Sequence, residues 1–200
     1  MSSLRDAALL LFEALDQLGI HYAIWGSFAS SFHGIARATQ DLDLVVELPT
    51  NRVRDLYQAV SPHFYADEET MLDAIQRGLS FNLIHLDSGF KFDLFVAGRH
   101  PLGRDQLRRR GRVGTALLGG DPLNVDMVSA EDIVLAKLLW YRAGGEVSER
   151  QWNDLVSLVE VQRNKTDYVY LETQASRLEV ADLLTRLWKG RSRAPGPTDD

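Results

Sequence analysis

Residues 23–46 read AIWGSFASSFHGIARATQDLDLVV, and the order of chemistry along this stretch decides the fold. A short apolar run, His21 to Trp25, has the character of a buried strand and stops at Gly26. Ser27 to His33 is rich in small residues and phenylalanine, predicting a helix closed by Gly34. From Asp41 to Leu48 the chain alternates charge with apolar residues and then turns β-branched, a strand signal. Asp41 and Asp43 stand two apart in that strand, so both carboxylates leave the same face. With no basic neighbour they repel, and one resists ionisation unless a cation lies between them. Magnesium answers that need: it takes carboxylate oxygens and leaves positions open for phosphate. The same D-x-D also fits a solvated strand edge.

Working outward, Pro49 ends the strand, and Thr50 is placed to cap a helix to about Val60. A weak strand near Phe64 and a helix over Glu68 to Arg77 follow. Phe81 to Leu86 and Phe90 to Val96 are strands joined by Asp87-Ser88-Gly89, which is hairpin chemistry. Asp93 shares a face of the second strand with Lys91 and Phe95. If that strand neighbours Asp41 to Leu48, three carboxylates converge. Such a set holds two metal ions about 3.5–4 Å apart, one activating an attacking hydroxyl and one steadying the leaving phosphate.

Upstream, Leu4, Ala7, Ala8, Leu11, Leu15 and Leu18 form one helical stripe that ends at Gly19. Downstream, Arg99 to Arg112 is basic, with arginines at 99, 104, 108, 109, 110 and 112. A last strand is expected at Leu123 to Val128. Ser129 with Asp132, and Ser148 with Gln151, are capping-box patterns that open helices either side of Gly144-Gly145. Helical segments follow near Asp167 to Leu178 and Val180 to Trp188. The expected architecture is α/β (α+β): a mixed sheet flanked by helices over residues 1–125, a helical region over 126–189, and a disordered tail over 190–200.

Composition narrows the function classes. The chain has 200 residues, 45% hydrophobic, and no cysteine. That excludes disulfides, thiolate metal sites and thiol catalysis, and it suits a reducing cytoplasm. No apolar segment approaches the roughly 18 residues that span a bilayer, so no membrane partner is expected. The net charge of −6 argues against coating nucleic acid by bulk electrostatics. Histidines lack tight ligand spacing, which speaks against zinc.

The strand–turn–helix at IWGSFAS adds a second chemical element. Glycine lets the backbone approach a ligand closely, and the N–H groups opening the helix, with the Ser27 hydroxyl, favour phosphate. Taken alone, an ordinary left-handed turn with an N-cap explains it better. Joined to the carboxylates, the spacing G-S-x13-D-x-D resembles the signature of the nucleotidyltransferase superfamily that includes DNA polymerase beta. Residues 23–46, with SAEDIVLAKLLWYR and SERQWNDL further on, also resemble the small bacterial nucleotidyltransferases related to AbiEii toxins of toxin–antitoxin systems. The resemblance spans residues 20 to 185.

It implies a nucleotidyltransferase acting on a nucleoside triphosphate such as ATP with two magnesium ions, in which Asp41 and Asp43 bind both metals. Asp93 completes the catalytic metal site and accepts the proton of the attacking hydroxyl. Gly26 and Ser27 hold the β- and γ-phosphates. Lys137, the single charge in IVLAKLLW, is the candidate for a basic residue reaching the triphosphate. Pairing with Asp154 is its structural alternative. Arg37 and Thr39 lie between the turn and the metal strand, where Arg37 can pair with phosphate or fix Asp41 or Asp43. His33 reads as a helix-end residue, and Trp25, Trp140 and Trp152 as core.

The acceptor is open in the sequence. An arginine segment beside such a site suits an RNA backbone, pointing to tRNA, or else to a partner protein, with an antitoxin as a further partner. A small hydroxylated cation, as in antibiotic-modifying enzymes, suits the acidic charge instead. A nucleotide-binding module without catalysis is the remaining class.

Overall fold

The computed structural model describes residues 3–34, 41–98 and 101–191, which fall into two compact units, residues 3–32 with 41–129 and residues 130–191 with 33–34. In the first, α1 (Leu4–Gln17) starts at Ser3, whose side chain caps the Asp6 amide while the Asp6 carboxylate returns to the Ser3 backbone. This reciprocal box fixes two donors that a helix start otherwise leaves bare. Ala7, Ala8, Leu11 and Leu15 from the predicted stripe are buried, joined by Phe12 and Ala14.

Strand β1 (His21–Ile24), helix α2 (Gly26–His33) and strand β2 (Asp41–Glu47) follow. Thr50 does not cap the next helix. It opens a single 3-10 turn, Thr50–Arg52, whose preceding Pro49 makes no side-chain cap, and α3 (Val53–Val60) continues from there. A proline before the turn fixes the backbone without offering a donor. Then come β3 (Phe64–Tyr65), α4 (Glu68–Arg77), β4 (Ser80–His85) and β5 (Lys91–Val96). Asp67 caps α4 through the Thr70 amide at 2.7 Å, and β4 and β5 form the expected antiparallel hairpin.

The arginine segment is structured where it is described: α5 (Gly103–Arg108) leads into an edge strand β6 (Gly111–Thr115), which pairs with β7 (Leu123–Met127). Strand β6 has two glycines and little apolar content, so its pattern carries no period-two signal. Among the described residues the strands form one seven-stranded mixed sheet in the order β3-β4-β5-β2-β1-β7-β6. β2 runs parallel to β5 and antiparallel to β1. One sheet face is apolar and closed: Leu42, Leu44, Val46, Phe81, Leu83, Phe92 and Leu94 are buried. Helix α1 packs on β1 and α3, and α4 on β4 and α3.

The second unit is helical, with α6 (Ala130–Ala143), α7 (Glu149–Val161), α8 (Tyr168–Arg177) and α9 (Ala181–Arg191). Ser148 caps α7 through the Gln151 amide and Asp167 caps α8 through the Tyr170 amide. Asp132 is fully buried and accepts from the Tyr170 hydroxyl at 2.7 Å, while Glu131 accepts from the Asp167 amide at 3.0 Å. These bonds make acidic residues at the start of α6 compatible with burial. Trp152 lies beneath the Arg186 guanidinium, 4.3 Å from its ring centroid. Trp140 is 41% exposed, correcting its assignment to the core: α6 is apolar on most sides, and periodicity alone cannot say which side faces water. Helix α9 runs to Arg191, past the expected start of the tail, and the tail from 192 lies outside the described residues.

Candidate active site

The site is built by strand register. β2 and β5 pair so that Asp41 is the Cα partner of Lys91 and Asp43 the partner of Asp93. Asn82 of β4 lies opposite Asp93 on the other side. Because side chains alternate along a strand, Asp41, Asp43, Lys91, Asp93 and Asn82 share one sheet face, while Leu42, Leu44, Phe92 and Leu94 enter the core.

The turn between β1 and α2 comes to the same place. The Trp25 amide donates to the Asp43 carbonyl at 2.9 Å, and the Ser27 amide donates to Asp43 Oδ2 at 3.3 Å. Gly26 has φ +58, and a Cβ there would stand 2.0 Å from Asp43 Oδ2. Two separate reasons thus require glycine: a left-handed backbone and an adjacent carboxylate. The Ser27 amide, expected from sequence to await a phosphate, is directed at Asp43. One N–H of this helix start is thereby taken by the protein's own carboxylate.

Asp43 is hemmed in. Burial pushes its carboxyl up to about 6; the Ser27 amide opposes that rise, and the like charges of Asp93 and Asp41 add to it. The expectation of carboxylates without a basic neighbour needs correction. Lys91 Nζ lies 2.9 Å from Asp93 Oδ2 and 3.5 Å from Asp41 Oδ2. Its ammonium is held above its ordinary pKa, first by the hydrogen bond to Asp93. Lys91 and Asn82 are two polar residues of this face that sequence reasoning left without a role. Their signal was present, since Lys91 precedes Asp93 by two, and the hairpin register carries Asn82 opposite Asp93.

Three carboxylates on neighbouring strands offer an oxygen-rich donor set of the kind a hard divalent ion takes, and a cation there would offset the burial that raises the Asp43 carboxyl. The residues therefore fit magnesium in chemistry. Among the described residues no three carboxylate or imidazole groups are drawn together as a finished metal cage. Here two of the carboxylates close on an ammonium instead.

The remaining sequence candidates separate. Lys137 is in the second unit, 3.8 Å from Asp154 Oδ2, with both side chains about one-fifth exposed. The His33 carbonyl accepts from the Gln162 side chain at 2.5 Å. Arg37 and Thr39 lie outside the described residues, as does Arg99. Arg104, Arg108, Arg110 and Arg112 do not flank the carboxylates. Arg104, Arg108 and Arg110 line a cleft of about 410 Å³ with His21 and Glu47, and Glu47 is at the opposite end of β2 from Asp41. Arg108 pairs with Asp105 at 3.0 Å, and Asp126 takes both Arg110 at 3.0 Å and Arg112 at 3.4 Å. Linear proximity to Asp93 suggested otherwise, but β5 leads away from the carboxylates before the arginines begin.

No protein-family model matches the sequence, and no curated protein does either. Among solved structures, the chain is similar to an antigenic nucleotidyltransferase-like protein from Paracoccidioides brasiliensis, at 18% identity over 90% of each chain with a TM-score of 0.48. The antibiotic-resistance factor ANT(2'')-Ia matches at 17% identity over 92% of this chain and 91% of that one, TM-score 0.46. The lincosamide antibiotic adenylyltransferase LnuA, with lincomycin bound, matches at 11% over 77% and 95%, TM-score 0.42. All three fall below a TM-score of 0.5, so the chemistry has to come from the chain's own residues. Among those described, no helix is long and apolar enough to cross a membrane.

Proposed function

We propose that this chain is a nucleotidyltransferase of the superfamily that includes DNA polymerase beta, moving a nucleoside monophosphate from a triphosphate to an acceptor hydroxyl. The observation that carries the reading is the in-register pairing of Asp43 with Asp93, beside Asp41 and against the glycine turn. A catalytically silent nucleotide-binding module has no use for three carboxylates on one face.

Asp41, Asp43 and Asp93 would hold magnesium, which supplies charge neutralisation of the triphosphate and of the developing oxyanions. Around it, Asp93 takes the proton of the acceptor hydroxyl as its oxygen bonds to the α-phosphorus. The bond from that phosphorus to the bridging oxygen breaks, and pyrophosphate leaves. Gly26 and Ser27 give backbone approach to the β- and γ-phosphates, and Lys137 and Arg37 supply further positive charge to them. Most of the rate enhancement comes from positioning and charge stabilisation.

The acceptor we assign first is a macromolecule, tRNA or a partner protein, in the manner of the AbiEii-related toxins that residues 23–46 resemble. An antitoxin partner and a cytoplasmic setting belong to that reading. Exposed Arg104 is available to an acidic acceptor. A second reading, transfer to a small hydroxylated cation, is favoured by a specific observation: Arg108, Arg110 and Arg112 are held in ion pairs, and the chain is acidic. Incubation of α-labelled triphosphates with total RNA, total protein and aminoglycosides separates them. Label in RNA or protein supports the first reading, and label confined to the aminoglycoside supports the second.

A further inference from the structure

Lys91 has no part in the proposed reaction, yet it sits between two of the site's carboxylates. Its position follows from register. It is two residues before Asp93 on the same face and is the Cα partner of Asp41 across the strands. Its ammonium therefore enters the gap between the two carboxylates, at 2.9 Å and 3.5 Å. The Asp93 side chain is only 15% exposed and Lys91 35%, so the pair is partly sheltered from solvent screening. Lysine is suited to a movable role here, since its charge rides on a flexible four-carbon stem with rotatable donors.

A divalent ion and an ammonium compete for the facing oxygens of the same two carboxylates, because they repel at contact distance. We infer that Lys91 is a resident counter-cation: in the metal-free protein its ammonium occupies the place between Asp41 and Asp93, and metal loading displaces it. The inference rests on the nucleotidyltransferase reading for the existence of the metal. It adds that the protein carries its own competitor for that metal. Lys91 thus keeps the carboxylates paired while the site waits, and it weakens binding of free metal. It is a positioning residue in this account.

The test uses the full chain and two variants, Lys91→Met and Lys91→Arg. Binding of Mn2+ without nucleotide is followed by the loss of its free-ion magnetic-resonance signal, and thermal stability is measured in chelator and in Mn2+. Lys91→Met is expected to melt lower than wild type in chelator and to bind Mn2+ about tenfold more tightly. Lys91→Arg keeps a cation in place and should bind Mn2+ as weakly as wild type. Equal or weaker Mn2+ binding by a folded Lys91→Met overturns the inference and leaves the metal reading standing. If Lys91→Met does not fold, Lys91→Arg binding tenfold more tightly than wild type also overturns it. Absence of Mn2+ binding in wild type and both variants, with or without a triphosphate, overturns the metal reading itself.

Discussion

Asp43 and Asp93 face each other as Cα partners on adjacent parallel strands, and the first of them also receives the Ser27 amide at 3.3 Å. A parallel pair places both carboxylates on one side of the sheet without a turn between them, so the strands have no freedom to part the charges. What relieves the crowding is proton uptake at Asp43, the ammonium of Lys91, or a metal ion. The first two act together in the metal-free protein, and a metal ion competes with both.

Asp43→Asn removes one metal-binding carboxylate and one crowded charge together. Pyrophosphate release should fall by a factor on the order of 10²–10³. The melting temperature in chelator should hold or rise, because a neutral amide relieves the repulsion. Calorimetry beside an activity assay checks both. A large drop in stability would mean the carboxylate is structural.

Burial sets the direction of the pH dependence. Asp43 in the folded, metal-free protein gives up its proton near pH 6, against an ordinary value of 3.8. Between those values the folded state holds the extra proton, so this contribution to stability is full below about pH 4 and is lost as pH rises through 6. The loss is on the order of 1–3 kcal/mol. Urea midpoints in chelator from pH 4 to 7 should show it as a difference between wild type and Asp43→Asn. Saturating magnesium should shift the difference in favour of wild type, because the variant has lost a metal-binding carboxylate. A difference that grows in the opposite direction would contradict the assigned environment.

Gly26→Ala should disable the site. The left-handed backbone costs an alanine about 1–2 kcal/mol, and its Cβ would meet Asp43 Oδ2 at 2.0 Å. Asp43 Cβ would also stand 2.8 Å from the new Cβ, so rotating the carboxylate alone does not relieve the clash, and the turn must shift away from β2 while the rest of the fold survives. Metal and nucleotide affinity should be lost in a protein of near-normal circular dichroism. Retention of nucleotide binding would remove the turn from the site.

Much of the carboxylate face was legible in the sequence. The alternation in DLDLVVEL and FKFDLF chose the faces, and Asp87-Ser88-Gly89 tied the second strand to its partner. Sequence could not give the parallel pairing of β2 with β5, since the two strands are far apart in the chain and nothing local fixes their register. That register is what brings Lys91 between Asp41 and Asp93 and removes the premise of an unbalanced carboxylate pair. The arginine segment misled for the same reason: nearness in sequence to Asp93 put the arginines beside the carboxylates, whereas three of the described ones line the cleft at Glu47. Strand β6 was missed because Gly111 and Gly114 suppress any alternation.

Lys137 and Asp154 form a partly sheltered pair in the helical unit. At 3.8 Å the coupling should be modest, below about 1 kcal/mol in a double-mutant cycle of Lys137→Met with Asp154→Asn. The phosphate role proposed for Lys137 makes a separate demand: KM for the triphosphate should rise in Lys137→Met and stay level in Asp154→Asn. A rise in neither variant would leave the lysine with its structural partner alone.

The central claim is that the carboxylate face performs nucleotidyl transfer. Its most direct measurement is pyrophosphate release from each of the four nucleoside triphosphates, with magnesium and with RNA, protein and aminoglycoside acceptors, in wild type beside Asp41→Asn and Asp43→Asn. The account predicts release with at least one triphosphate and acceptor, abolished by chelator and lost in both variants. Release that persists unchanged in Asp41→Asn and Asp43→Asn, or none from wild type with any triphosphate or acceptor, would contradict it.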